Sequence, residues 1–183
     1  MDAALRVVRR DGIGGLSHRT VAAEADVPLG STTYHFGSLD DLLVAALRKV
    51  DAGLAEELRS RPARPGGTLA DGLARLLGAL LGAGRSQVEL EYELRLAALR
   101  RPALRPVAAE RAEEVVTALA RHTGRTTARA LAALLDGIAL QVLLGGAPYD
   151  EAHAREMIAR ILNEAPKDQA GALSEAPAGP TGT

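Results

Sequence analysis

The 183-residue chain has no cysteine and no tryptophan, one phenylalanine and three tyrosines. Without cysteine there is no disulfide framework, no thiolate nucleophile and no sulfur-ligated zinc, and the reading is a cytoplasmic protein in a reducing compartment. So few aromatic rings leave any ligand cavity to be walled by leucine, alanine and valine, which suits an apolar or acyl-like molecule better than a flat aromatic one. Neither sign of charge dominates. The net charge is −1, which gives no global nucleic-acid signature. The first fifty residues balance six basic side chains (Arg6, Arg9, Arg10, Arg19, Arg48, Lys49) against six acidic ones. Local placement must therefore supply whatever phosphate affinity the chain has, because neutralising phosphates ordinarily provides much of DNA binding. The amino terminus lacks an unbroken apolar run, since Asp2, Arg6, Arg9, Arg10 and Asp11 interrupt it, and a secretory leader is not expected.

Clusters that carry chemistry are also scarce. The four histidines, His18, His35, His122 and His153, are scattered, and the only helical metal-like spacing is His153 with Glu156. Two such residues one turn apart are common by chance, so no metal is expected. Glu89, Glu91 and Glu93 form the one dense acidic group and read as a solvated helix face; no serine, histidine and acid are spaced as a triad. Gly14-Gly15 and Gly66-Gly67 are not followed by the lysine and hydroxyl residue of a phosphate loop. No catalytic residue and no cofactor is expected.

What the chain does have is helical periodicity. Leu5 and Val8 mark a short amphipathic helix over about 2–10, ended by the Gly12, Gly14 and Gly15 cluster. Ser38 caps a longer one, with Asp40 and Asp41 in its first turn and Leu42, Leu43, Ala46, Leu47 and Val50 as its buried stripe, predicted to run to about Arg59. Pro62, Pro65, Gly66 and Gly67 mark a boundary within 60–67. Thr68 then caps a leucine-rich helix that lasts to Gly82. The segment Val88 to Leu96 alternates like a strand, but its Leu, Glu and Arg favour helix, Glu91 can pair with Arg95 one turn on, and a lone strand would have no ladder partner. A further helix runs from about Leu104 to the break at 122–124. From Thr127 to Leu144 the chain is apolar on nearly every face. Arg129, Asp136 and the absence of aromatic anchors argue against a membrane span, and the better reading is a helix buried in its own subunit on one side and against a partner on the other. Asp150 caps the last helix, whose apolar edge is Met157, Ile158, Ile161 and Leu162. Beyond Glu164 little can be buried, and 165–183 is expected to be disordered.

Ser17 to Phe36 is the most telling stretch. Ser17 caps a helix with Val21, Ala22 and Ala25 inside, Asp26 and Val27 turn the chain, and Pro28, with no N–H to lose, suits the start of a second short helix carrying Ser31, Thr32, Thr33, Tyr34 and His35. Two short helices with a tight turn have the shape of a helix-turn-helix, whose second helix enters a DNA major groove.

The order of elements, and the string Gly-Ser-Thr-Thr-Tyr-His-Phe-Gly-Ser-Leu-Asp-Asp-Leu-Leu from Gly30 to Leu43, resemble the TetR family of bacterial transcriptional regulators. Leu134-Leu135-Asp136-Gly137-Ile138-Ala139-Leu140-Gln141 resembles that family's penultimate helix. The resemblance implies an all-α fold: a helix-turn-helix DNA-binding domain over 1–48 with a truncated first helix, and a helical ligand-binding and dimerisation domain over 49–164. It implies a homodimer through the last two helices and a near-palindromic double-stranded operator, released by a small-molecule effector, as in a repressor. DNA contacts would fall on His18, Arg19, Leu29, Gly30, Ser31, Thr32, Thr33, Tyr34 and His35, with Arg19 on a guanine edge, Ser31 and Thr32 on bases, and Tyr34 and His35 on phosphates. The family often has lysine at the positions of Leu29 and Leu39, tyrosine at that of Thr33 and glycine at that of Asp26. Tyr92, Arg95, Leu99 and Gln141 are the candidate pocket residues. The alternative is a helical small-molecule-binding or scaffold dimer that no longer grips DNA.

Overall fold

Every regular element is helical in the computed structural model, which describes residues 1–50, 54–60 and 68–163. Helix α1 (Asp2–Asp11) buries Ala4, Leu5, Val7 and Val8 and stops at Gly12, whose φ of 69° is open to glycine and strained for other residues. Helix α2 (His18–Ala25) begins with a reciprocal cap. The Thr20 N–H donates to Ser17 Oγ at 3.1 Å and the Ser17 N–H donates to Thr20 Oγ1 at 2.9 Å, satisfying two donors that a helix start leaves open. Asp26 closes α2 in the left-handed region at φ 52°, a conformation aspartate tolerates better than most residues. Of the three residues expected inside, Val21 and Ala22 are buried, while Ala25 is exposed where the chain turns away. Helix α3 (Leu29–His35) follows.

Helix α4 (Leu39–Lys49) is capped by Ser38, which accepts the Asp41 N–H at 3.1 Å, and buries Leu42, Leu43, Ala46 and Leu47. It is shorter than its sequence suggests. Val50 is extended (φ −73°, ψ 128°) and completely buried, so a β-branched side chain drawn into the core ends the helix ten residues before Arg59. Helix α5 (Leu54–Ser60) is a separate element. Residues 61–67 of the expected boundary and the expected disordered tail lie outside the described residues.

Helices α6 (Leu69–Leu81), α7 (Arg85–Ala97), α8 (Arg105–Ala120), α9 (Arg125–Gly145) and α10 (Glu151–Asn163) complete the order. The alternating segment is helix, as propensity required, with Val88, Leu90 and Leu94 buried. The Asp150 carboxylate accepts the His153 N–H at 2.9 Å and so starts α10. In the preceding loop the Tyr149 hydroxyl donates to the Ala74 carbonyl at 2.7 Å. Its ring lies over Gly78, where a Cβ would stand 2.8 Å from a ring carbon.

Two cores share two helices, α7 and α8. The first gathers α1, α4 and Val21 with Leu90 and Leu94 of α7, Leu104 and Val107. The second joins α6, α8, α9 and α10 with Val88 of α7. Packing therefore crosses the expected boundary near residue 48. Among the described residues α9 is the one helix long and apolar enough to cross a bilayer, yet it packs against α6, α8 and α10 of its own chain. Within the protomer it buries only the stripe Ala128, Leu131, Leu135 and Ala139. Its other face is open: Leu144 is 82% exposed, and a Cβ added at Gly137 would meet nothing within 4 Å.

Candidate DNA surface and ligand cavity

Helices α2 and α3 present an outward surface made of Arg19, Leu29, Gly30, Ser31, Thr33, Tyr34 and His35, all exposed. Tyr34 is the most prominent, at 86%, with its ring edge-on to His35 at 5.3 Å. The Thr33 hydroxyl turns back to the Leu29 and Gly30 carbonyls at 3.3 and 3.2 Å. Thr32 requires a correction. It is buried, and its one hydroxyl proton is shared between the Leu29 carbonyl at 2.9 Å and the His18 carbonyl at 3.3 Å, so it joins α3 to α2 and its donor does not face the outer surface. His18 is half-buried, with Nδ1 enclosed and unpartnered.

Most basic side chains of this region are engaged elsewhere. Arg6 and Arg10 reach Glu24 at 2.6 and 2.8 Å, and their hydrogen bonds hold its carboxyl below the usual carboxylate range. Lys49 pairs with Asp2 at 2.7 Å, Arg48 with Glu110 at 3.5 Å, and Arg9 donates to Gln87 at 2.5 Å. Arg19 is the one cation among the described residues of this module whose guanidinium is unengaged.

A second polar joint ties the module to α7. The Ile13 N–H donates to Glu93 Oε1 at 2.7 Å, and a side chain on Gly12 would crowd the same oxygen, at 3.1 Å. Glu93 is thus not part of a solvated face but an acceptor for the turn between α1 and α2, a role that no local spacing signals.

The opposite face of α7 lines a cavity of about 260 Å³ between α5, α6, α7, α8 and α9, walled by Leu54, Leu77, Leu80, Val88, Val115, Val116 and Leu135. Among the described residues Glu91, Tyr92, Arg95, Arg111, Glu114 and Asp136 supply its polar edge, three carboxylates beside two guanidinium groups. Arg95 holds Asp136 with two parallel bonds of 3.2 and 3.1 Å, and the Tyr92 hydroxyl donates to the same carboxylate at 2.7 Å. Burial first, and then the Asp136 charge and bond, push the Tyr92 phenol far above its ordinary range. Burial works against the Arg95 charge, but Asp136 outweighs it and raises that pKa. The expected pair of Glu91 and Arg95 is there at a looser 3.9 Å. Tyr92, Arg95 and Asp136 also border a more open hollow that includes Leu96, Leu99 and Leu140. Of the candidate pocket residues, Tyr92 and Arg95 face both spaces, Leu99 only the hollow, and Gln141 is exposed on α9 and lines neither. Asp136 had a readable signal: a lone acid inside an apolar helix needs a partner. Arg111 and Glu114, on an unremarkable helix face, had none.

A family model of the tetracyclin repressor-like C-terminal domain matches residues 64–164. The chain belongs to the TetR family. It is accordingly a TetR-type transcriptional regulator with an all-α helix-turn-helix fold. Similar TetR-type proteins include the nicotine-responsive transcriptional repressor HdnoR of Paenarthrobacter nicotinovorans, 30% identical over 84% of this chain and 85% of that one. The regulator BetI of Burkholderia thailandensis is 27% identical over 82% and 83%. Among solved structures, the multidrug binding protein EbrR complexed with ethidium is 64% identical, with a TM-score of 0.81 over 88% of this chain and 95% of that one. A TetR member from Streptomyces coelicolor, SCO1917, is also 64% identical, with a TM-score of 0.78 over 88% and 94%.

Proposed function

We propose that this regulator is a homodimeric, cytoplasmic repressor that holds a near-palindromic operator through α2 and α3 and is released by a small-molecule effector in the cavity beside α7. The observation that carries the reading is the position of α7. One of its faces completes the core of the DNA-reading module and the other walls the cavity, so occupancy and DNA geometry share one rigid element. The open stripe of α9 supports pairing through the last two helices.

The sequence pointed to an apolar or acyl-like effector. The polar edge shifts that proposal toward an amphiphilic organic cation, because apolar walls with a surplus carboxylate favour a hydrophobic molecule of positive charge over an anionic acyl chain. Structures of one relative, EbrR, complexed with ethidium, proflavin and malachite green support the same class.

The test starts by selecting duplexes on the purified protein from a random library. Binding is then measured by fluorescence anisotropy at two salt concentrations, against a scrambled duplex, with benzyltrimethylammonium or octanoate added. Saturable, sequence-preferring, salt-sensitive binding that the ammonium weakens more than octanoate does is the expected result. Absence of sequence preference at any salt overturns DNA regulation in favour of a ligand-binding dimer, and release by octanoate alone overturns the cationic class.

A further inference from the structure

We infer that Arg111 is the positioning residue through which an occupied cavity acts on the DNA-reading module; the inference rests on the ligand-responsive reading above. Helix α4 belongs to that module, since Leu42, Leu43 and Leu47 are completely buried in the core shared with α1. Like every α-helix it ends with carbonyls that have no partner inside the helix. Arg111, reaching across from α8, supplies donors there: its Nη2 bonds the Val50 carbonyl at 2.8 Å and the Arg48 carbonyl at 3.1 Å. Its positive charge also suits the negative end of the helix dipole.

The other side of the same guanidinium belongs to the cavity. Nη1 donates to Glu114 Oε2 at 3.0 Å, and both residues form part of the cavity edge. The Arg111 side chain is only 17% exposed, so its charge is poorly screened and sensitive to a second one nearby. A cationic guest takes Glu114 as its counter-ion and repels the guanidinium at close range. Both effects favour an arrangement in which Arg111 leaves the end of α4. A guest that binds this arrangement better shifts the population toward it, and α1 to α3 move with α4 because their cores are continuous. Besides Arg111, α4 is tied to the helices behind it by the exposed Arg48 and Glu110 pair at 3.5 Å, by Arg101 donating to Asp40 at 2.6 Å and by the shared apolar core, so the arrangement that releases Arg111 is a pivot of α4 on that core.

The experiment reads a coupling factor, the ratio of the Kd of benzyltrimethylammonium for duplex-bound and for free full-length protein. As a ratio it cancels changes in intrinsic ligand affinity. For the wild type a factor of at least about 5 is expected, the lower end for allosteric coupling. In Arg111→Gln the factor falls toward one while duplex and ammonium each still saturate. Arg111→Lys restores part of it, since an ammonium can still donate to a terminal carbonyl, which a merely structural role would not require. Glu114→Gln leaves the bonds to α4 in place and lowers the factor by removing the shared counter-ion; it keeps the inference testable if Arg111→Gln fails to fold. A wild-type factor retained in Arg111→Gln, or in Glu114→Gln where the former does not fold, overturns the inference alone. A wild-type factor of one, or no selected duplex, overturns the ligand-responsive reading and the inference with it.

Discussion

Arg19 and Thr32 sit one helix apart and have opposite fates. Arg19 keeps a solvated, unengaged guanidinium on the outer surface of α2, so Arg19→Ala should weaken binding to a selected duplex by about 1–3 kcal/mol if it donates to a base edge. Anisotropy titration checks this, and an unchanged preference among duplexes would remove Arg19 from the readout. Thr32 spends its hydroxyl on backbone carbonyls. Thr32→Val should therefore cost about 0.5–1.5 kcal/mol of stability in a urea melt, the net worth of such bonds, and leave duplex preference as it was. The sequence does not separate the two residues, because a threonine in a recognition-helix string reads as a contact until its burial is known. Ser17 and Asp26 were legible for the converse reason: capping and the left-handed turn are decided within three or four residues of chain.

Helix by helix, the pattern of caps and apolar stripes gave nearly all the elements, and the exceptions have tertiary causes. The early end of α4 comes from Val50, which the helical stripe claims and the core then takes in extended form. Glu93 looked like solvent-facing charge because its partner lies eighty residues upstream in a turn. Removing its carboxylate in Glu93→Ala leaves the Ile13 N–H without an acceptor and should cost about 1.5–3 kcal/mol, the range for a bond to a charged group; Glu93→Gln, which keeps an acceptor oxygen, should recover part of that loss in thermal melts of the three proteins. The link between α6 and the loop before α10 has a pH signature. Burial first, then Glu151 and Asp150, push the Tyr149 phenol up to about 12. The neutral form is favoured in the folded state, so this contribution is whole below the unfolded value of about 10 and is lost as pH rises from there through about 12. Urea melts across that window should show a decline in stability that is shallower in Tyr149→Phe.

For the molecule as a whole, the proposed pairing of two copies is tested first on α9. Gly137 lies on the open stripe of α9, where an added side chain meets nothing in its own protomer, and replacing a helical glycine also raises helix propensity. Gly137→Arg should therefore leave the protomer folded yet monomeric by sedimentation velocity, and weak on a near-palindromic duplex that needs two reading heads. An arginine variant that stays dimeric would place the interface elsewhere. The cavity was only half legible in the sequence: Tyr92 and Arg95 carried shape and charge, whereas Arg111 and Glu114 join them through the packing of α8, which no local pattern encodes. The paired cations of the first module also bear on how the protein finds its site. With Arg6 and Arg10 both held by Glu24, fewer phosphates are expected to be neutralised on arrival, and the slope of log K against log salt, roughly −0.9 per phosphate, is expected to be shallow. A regulator of this kind is expected to hold random DNA weakly. It would spend little of its time trapped on the many wrong sites of a genome, and its occupancy of the right one would depend on discrimination more than on grip.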